Sequence, residues 1–223
     1  MKRTLFIFLV VMLIPTIALC STTKVLDKDT DLPVQGAVVG FVTFKQGTTV
    51  ELNERGEVIS GVLKLNKELY CRNSWYSTIA GYSIYVSYGR ISIKGGDAVT
   101  TFDEHGYVIS GTLNEDADLN VVQNSAQQIT LKYETPFAID NNGNLLRGFP
   151  RSDTYLRPVG WQSFMPKDNH AGFVKFKVVT EIIFGPNGEV VRGTIAEQLT
   201  VNGITYPAGT TLRFSQSGYP QKA

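Results

Sequence analysis

Pairs of apolar residues that follow a glycine recur along this chain. Each copy has an apolar residue, three turn-type residues, a glycine and an apolar pair, and most copies have a second glycine five residues after the first. The copies are Leu52–Gly61, Phe102–Gly111, Ile139–Gly148, Phe184–Gly193 and a shorter Phe214–Tyr219. Self-similarity of this kind is typical of repeat architectures, so the chain is predicted to be built from about five copies of one small unit.

The first glycine of each copy follows residues such as Asn, Asp and Ser and is flanked by apolar residues suited to strands. Glycine supplies the positive φ that closes a tight hairpin, while Asn, Asp and Ser side chains bond to the local backbone. We therefore predict five hairpin tips. Their structural turn glycines are Gly56, Gly106, Gly143, Gly188 and Gly218.

Apolar and polar residues alternate with a period of two between the tips, as in the segments 82–88 and 129–133. This period is that of a β-strand with one apolar face. Beyond residue 20 no segment has the i, i+3, i+4 spacing of an amphipathic helix. The pattern predicts an all-β fold with almost no helix.

Spacings between the turn glycines are irregular, at 50, 37, 45 and 30 residues. A regular solenoid keeps a fixed period because each coil stacks on its neighbour. The irregularity favours an antiparallel meander of repeated β-hairpins, in about five copies, with a unit of two or three strands. The exposed edges of this meander are expected near Leu32 and Phe214, and the pattern does not separate an open sheet from a closed barrel.

The first 20 residues have the order of a secretory signal peptide: a charged start, an apolar run over 5–14, Pro15, and small residues near Cys20. Two kinds of processing fit. The segment Ile17–Cys20 resembles a bacterial lipobox, which would make Cys20 the lipid-modified first residue, and ordinary cleavage after Cys20 fits as well. The protein is therefore expected to be exported in a bacterium and to be periplasmic, extracellular or envelope-attached, with residues 21–223 as one β-repeat domain.

Charge and cysteine content narrow the function classes. The formal charge of +1 includes Lys2 and Arg3, so the processed chain carries −1 on its side chains. We expect no nucleic-acid binding, because no basic stripe is present, and membrane contact only through a lipid anchor at Cys20. Cys71 is the one other cysteine, so no disulfide within the processed chain is expected.

Two stretches break the repeat, residues 66–80 and residues 148–170. The second contains three prolines among Trp161, Phe164 and several charges, and it is typical of a long irregular loop. Loops of this length in compact domains are usually functional or disordered. The two stretches are therefore the predicted insertions, and a loop that only covers a sheet face is the alternative for the second.

The sequence offers little catalytic or metal chemistry. His105 occupies a predicted hairpin tip, and His170 has no fixed partner for nucleophilic catalysis. The segments 27–31 and 140–144 have alternating oxygen ligands, but neither continues to the Glu at position twelve that a helix-flanked calcium loop requires. We expect no enzyme, no metal site and no cofactor. A hydrolase that uses carboxylates stays an alternative, with candidates Asp116, Asp118, Glu134, Asp153 and Glu181.

Aromatic residues are the remaining signal for binding. Tyr and Trp are favoured at interfaces and provide stacking surfaces for ligands. The speculative binding residues are Trp75, Tyr85 and Trp161. The alternative is that half of the aromatic residues between 70 and 88 form the apolar face of a strand.

The motif over Phe102–Leu113, in which an apolar residue and glycine precede an apolar pair and Gly-Thr-Leu, resembles the hairpins of bacterial MORN-like repeat proteins. The resemblance covers the five hairpin tips. The repeat unit of the MORN-like proteins is shorter than the unit of this chain, and it contains aromatic-glycine pairs that this chain lacks. It implies an elongated sheet that scaffolds or binds other proteins without catalysis.

The leading functional expectation is an exported, non-enzymatic β-repeat protein that presents a sheet surface for binding or scaffolding at the bacterial cell envelope. Its partner would be an unidentified protein or glycan. A small-ligand or glycan-binding module, with its site between the sheet and residues 148–170, is the alternative.

Overall fold

The protein is an antiparallel β-hairpin meander with almost no helix, as the sequence predicts. The structure, a computed structural model, describes residues 21–73, 75–79, 82–86, 89–122, 127–164, 172–217 and 219–223. Trp161–Phe164 form a short 3-10 helix, which is the helical segment of the described residues.

The described residues form 23 strands, which are numbered here in chain order. They are β1 (Thr22–Val25), β2 (Thr30–Pro33), β3 (Phe41–Phe44), β4 (Thr49–Leu52), β5 (Val58–Val62), β6 (Lys67–Cys71), β7 (Trp75–Ile79), β8 (Tyr82–Val86), β9 (Gly89–Ile93), β10 (Val99–Phe102), β11 (Val108–Thr112), β12 (Ala117–Asn120), β13 (Gln128–Leu131), β14 (Pro136–Ile139), β15 (Leu145–Gly148), β16 (Thr154–Leu156), β17 (Val174–Phe176), β18 (Ile182–Phe184), β19 (Val190–Thr194), β20 (Leu199–Val201), β21 (Ile204–Tyr206), β22 (Thr211–Arg213) and β23 (Gln221–Lys222).

The largest sheet has 13 strands, and eleven of them follow one another in an antiparallel path, which we call the main sheet. Its order is β1-β4-β5-β10-β11-β14-β15-β18-β19-β22-β23, and β6 and β9 join it through a single parallel bridge between Cys71 and Val108. Five hairpins supply ten of these strands, and β1 adds one edge. The five repeats of the sequence are therefore the five hairpins of the main sheet.

A two-stranded ladder precedes or follows each of these hairpins along the chain. The ladders are β2-β3, β6-β9, β12-β13, β16-β17 and β20-β21. A complete unit thus has four strands, two in the main sheet and two in a ladder, rather than the two or three expected. The ladder strands are three to five residues long, which is too short for their alternation to stand out in the sequence.

The ladders and the main sheet share one hydrophobic core. Phe44 and Phe176 come from ladders, Val50 and Phe102 come from the main sheet, and all four are almost completely buried in the same cluster. Isolated bridges such as Phe44↔Leu63 and Phe176↔Ile195 join the two layers. Cys71 is a free, buried cysteine and forms no disulfide. The stability of the described part therefore comes from burial between two layers of strands.

The second glycine of the repeat lets the two layers approach closely. A Cβ placed on Gly61 would lie 2.7 Å from Cδ1 of Phe44, and one on Gly193 would lie 2.7 Å from Cδ1 of Phe176. Real Cβ atoms do not approach other carbons at these distances, so the aromatic ring occupies the place of a side chain. The glycine is thus needed for packing, a role that the sequence pattern alone did not assign.

The first glycine closes the hairpin, as predicted. Gly56, Gly106, Gly143 and Gly188 have φ between 74° and 92°, and Gly218 lies outside the described residues. In the third tip, Oδ1 of Asp140 accepts hydrogen bonds from the backbone N–H groups of Asn142 and Asn144. The first two tips repeat these contacts with Asn53 and Asp103.

The tips of the hairpins lie at one end of the main sheet, which we call the tip end. The two strands of each ladder are joined by a connection of variable length, which we call a crossover, and the crossovers are residues 34–40, 72–88, 121–127, 157–173 and 202–203. The bridges Val34↔Val58 and Pro158↔Val190 place two of them against the hairpin tips. The irregular repeat spacing arises in large part from these crossovers, since the spacings of 50 and 45 residues contain the two of 17 residues.

The stretches that interrupt the repeat are shorter than the sequence indicates. Residues 66–80 contain β6, which belongs to a regular ladder, so the inserted part is the crossover that carries β7 and β8. Residues 148–156 contain the end of β15 and all of β16, so the irregular part of the second stretch begins at residue 157.

The edges of the main sheet are β1 and β23, not the segments expected near Leu32 and Phe214. Leu32 pairs with Val42 inside a ladder. Phe214 is only 3% exposed because it packs edge-on against Phe176. The expectation failed because the ladders could not be separated from the main sheet by sequence alone.

Candidate functional site

One row of residues crosses the whole main sheet in register and faces away from the ladders. We call it the outer row. Cross-strand pairing links its members one after another. In strand order they are Thr23, Glu51, Ser60, Thr101, Ser110, Ala138, Arg147, Ile183, Arg192, Arg213 and Gln221.

The outer row lies on the side of the sheet opposite the core. Successive side chains of a strand point to opposite faces, and the neighbours of the row, such as Val50, Phe137 and Leu212, are buried. Every residue of the row is half-buried or exposed. The row therefore forms a surface that the ladders leave uncovered.

Charge is distributed unevenly along the outer row. Glu51 lies near the β1 edge, where its Oε2 accepts a hydrogen bond of 3.3 Å from the hydroxyl of Ser60. Arg147, Arg192 and Arg213 lie in the half of the row near β23. The surface is thus acidic towards one edge and basic towards the other.

Arg192 and Arg213 are an unusual pair because they are direct cross-strand neighbours of like charge. Like charges in this arrangement are destabilising. Arg147 has an acidic partner, since its Nη1 lies 3.6 Å from Oε1 of Glu181. Within the described residues no carboxylate lies within 4.0 Å of Arg192 or Arg213.

Four apolar residues flank the outer row on its tip side. Each is the extra residue of a β-bulge that recurs in the hairpins. Each is half-buried or exposed. These bulge residues are Ile59, Ile109, Leu146 and Val191.

A groove of about 740 Å³ lies at the tip end, between the first two hairpin tips and the first crossover. Its walls include Gln35 and Gly36 of the crossover, and Ile59 contributes an apolar surface. The remaining lining residues are Asn53, Glu54, Arg55, Glu57, Glu104 and His105. The volume is that of a small-ligand site, although the lining is more polar than usual.

Arg72 supports the second tip from the side of the groove. Its Nε lies 2.5 Å from Oδ2 of Asp103, whose side chain is 1% exposed. Its Nη2 lies 2.5 Å from Nδ1 of His105. A guanidinium can only donate, so Nδ1 is the acceptor in this contact. Arg72 thereby contacts both Asp103 and His105 of the second tip.

The three aromatic residues predicted for binding lie in two different crossovers. Trp75 and Tyr85 are in β7 and β8, and their side chains lie outside the described part of the structure. Trp161 packs against Gly172, and the guanidinium of Arg157 lies 4.4 Å from its ring centroid. Trp161 therefore helps to fix the fourth crossover.

Other predicted groups have local structural contacts. Burial raises the pKa of the Cys71 thiol to about 11, so it is protonated at neutral pH. Each candidate carboxylate has a contact of its own. Three form ion pairs: Asp116 with Arg151, Glu134 with Lys94 and Glu181 with Arg147. Hydrogen bonds are accepted by Asp116 from the backbone N–H of Tyr133, by Asp118 from the hydroxyl of Thr130, and by Asp153 from the backbone N–H of Val178. Cys20 and His170 lie outside the described residues.

Metal-binding clusters and membrane-spanning helices are absent from the described part of the chain. No group of three or more His, Cys, Asp and Glu side chains is arranged to hold a metal ion. No helix in this part has the length and apolar character that crossing a membrane requires.

The outer row was missed by the sequence analysis, although the repeat contains it. The residue before the second glycine is Ser60, Ser110, Arg147 and Arg192 in the four full copies. The change from serine to arginine is visible in the sequence, but its position on one continuous surface depends on the register of the strands.

Comparisons with known proteins identify no relative. The chain matches no protein-family model, no curated protein and no solved structure.

Proposed function

We propose that this protein is an exported, non-enzymatic β-repeat protein that binds or scaffolds a macromolecule at the bacterial cell envelope through the outer row. The export part of the proposal comes from the signal-like residues 1–20, with lipidation of Cys20 and ordinary cleavage both retained. The resemblance of the hairpins to MORN-like repeat proteins is in keeping with a scaffolding role.

The observation that carries the proposal is the uncovered face of an eleven-stranded sheet. The first half of the outer row has hydroxyl side chains and one carboxylate, that of Glu51. The second half instead has the cross-strand pair of Arg192 and Arg213, with no carboxylate of the described residues within 4.0 Å, and the exposed bulge residue Leu146 next to Arg147. Arginine is enriched in the energetically important part of recognition surfaces.

Site-specific photo-crosslinking in an expressing bacterium tests the proposal. A crosslinker in place of Ser110, at the middle of the outer row, is expected to give discrete adducts. The matched control replaces Thr205, an exposed residue of the last ladder, and is expected to give none. Equal labelling from both positions, or none from either, would refute the use of this face.

A small-ligand or glycan-binding function is the second candidate, and the groove at the tip end supports it. Polar planar side chains such as Gln35, Asn53 and Arg55 line the groove, and such groups bind sugar hydroxyls. Calorimetric titration with a panel of envelope glycans would test it, with Arg55→Ala as the variant. Heats that are the same for the variant and the parent would remove the groove from consideration.

A further inference from the structure

We propose that the macromolecule bound by the outer row is a second copy of this chain, related by a two-fold axis that runs along β14 past Ala138. This inference rests on the proposed function, because it names the partner of the same face. The resulting homodimer has its two outer rows face to face and its ladders on the outside.

The strand count places the axis. Ala138 is in the sixth of eleven strands, so five strands lie on each side of it. A two-fold rotation about an axis parallel to β14 places each strand opposite the strand that is equally far from the centre on the other side. Symmetric interfaces of this kind are self-complementary, because residue i meets j and j meets i.

Charges match under this rotation. Glu51, in the second strand, meets Arg213 of the second copy, in the tenth strand. Ser60 meets Arg192 in the same way, and Ser60 is hydrogen-bonded to Glu51. The arginine pair of one copy therefore lies on both sides of the carboxylate of the other, and this carboxylate supplies a counter-charge for the pair.

Side-chain sizes match as well. Ser110 meets Arg147, and Thr101 meets Ile183, so a short side chain faces a longer one on both sides of the axis. Ala138 meets its own copy at the axis, where the smallest side chain of the row lets the two sheets approach. Alternation of small and large residues is the pattern by which packed sheets interdigitate.

The bulge residues extend the same match on the tip side. The rotation pairs Ile59 with Val191 and Ile109 with Leu146. Four apolar contacts, two of each kind, then form beside the charged row. Leu146 is exposed and the other three are half-buried, with Ile109 and Val191 also packed against the core. The contact covers the apolar surface that these residues leave exposed.

The other two-fold axis in the plane of the sheet, perpendicular to the strands, is disfavoured. It would place each strand on its own copy, so Arg192 and Arg213 would face arginines and Glu51 would face a glutamate. An acidic peptide or glycan as the occupant would account for the arginines but not for Glu51 or for the size pattern. The second copy explains all of them.

The area is sufficient for association. Ten strand spacings of about 4.8 Å and four residues of about 3.4 Å give a footprint of roughly 650 Å² on each copy. This is close to the ~800 Å² per partner of a standard interface. The dimer is therefore expected to be reversible rather than obligate.

Charge exchange between two variants tests the inference. Glu51→Arg alone faces Arg213 with an arginine, and Arg213→Glu alone faces Glu51 with a glutamate, so each is expected to weaken self-association about tenfold or more. Mixed together, the two variants place opposite charges at both contacts. Sedimentation velocity is expected to show a restored dimer in the mixture only.

Ala138→Glu provides a second variant, since it places two carboxylates against each other at the axis and is expected to abolish the dimer. Thr205→Glu adds the same charge to a ladder and is expected to change nothing. Thermal unfolding at low concentration checks that each variant is folded.

A monomeric parent chain, unchanged association of the single variants, or failure of the mixture to associate would overturn the dimer. The crosslinker at Ser110 separates this failure from that of the proposed function. Adducts with another macromolecule by a monomeric chain would leave the proposed function standing, whereas the absence of all adducts would remove both.

Discussion

The first two hairpins of the main sheet, β4-β5 and β10-β11, and the next two, β14-β15 and β18-β19, are alike inside and different outside. Each has a buried glycine against a ladder side chain and a positive-φ glycine in its tip. On the outer row the first two present Ser60 and Ser110, whereas the next two present Arg147 and Arg192.

This difference separates what holds the fold from what the surface is for. Packing between the layers restricts the inward positions, because the two layers are in contact there. The outward position before the second glycine accepts either serine or arginine without a change in strand register. A position that the fold leaves free, and that changes between two halves of a repeat, is available for recognition.

Equivalent substitutions in the first and second hairpin tips are expected to give the largest difference in stability. Asp103→Ala in the second tip removes two turn hydrogen bonds and leaves Arg72 without its buried partner, so unfolding should become easier by about 3 kcal/mol. Asn53→Ala removes the corresponding turn contacts in the first tip, where the described residues include no buried ion pair with Asn53, and should cost about 1 kcal/mol. Urea unfolding compares the two, and equal losses would contradict the structural role of Arg72.

Alanine substitutions at two of the second glycines of the repeat are expected to change the stability of the protein in opposite directions. Gly193→Ala places a Cβ against the ring of Phe176 and should destabilise the protein by about 1–3 kcal/mol. A Cβ on Gly111 would lie 3.5 Å from Cγ2 of Ile93, an ordinary contact. Gly111→Ala should therefore be neutral or stabilising by about 0.5 kcal/mol, since it restricts the unfolded chain. Melting temperatures of both variants check this, and a shared sign would refute the close-approach account.

A small, pH-dependent effect is expected from the ion pair that joins two neighbouring units. Nζ of Lys94 lies 2.8 Å from Oε1 of Glu134, and this contact lowers the pKa of Glu134. A carboxyl whose pKa is lowered by folding stabilises above its unfolded pKa, and this contribution is lost as the pH falls through the folded value. Glu134→Gln should lower the melting temperature slightly at pH 7 and leave it unchanged at low pH. A constant difference at all pH values would exclude the ion pair as its cause.

The sequence predicted the all-β class, the five hairpins and the role of the four tip glycines that the structure describes, because these depend on local turn chemistry. It did not predict the ladders, whose strands are short and pair with residues on the far side of a crossover. It also missed the outer row, although Ser60 and Arg192 occupy equivalent repeat positions. Which residues become neighbours across eleven strands depends on bulges and register, and these are properties of paired strands rather than of one segment.

The most direct test of the account is to measure stability and self-association together on Arg192→Ser with Arg213→Ser. In the double variant the second half of the outer row has serine at positions 192 and 213, as the first half has at Ser60 and Ser110. Unfolding should be followed at low protein concentration, where association does not add to stability. The account predicts an unchanged or slightly higher melting temperature, because a like-charge cross-strand pair is removed, together with loss of the dimer in sedimentation. A clear loss of stability with association unchanged would show that the arginines serve the fold and would contradict the central claim.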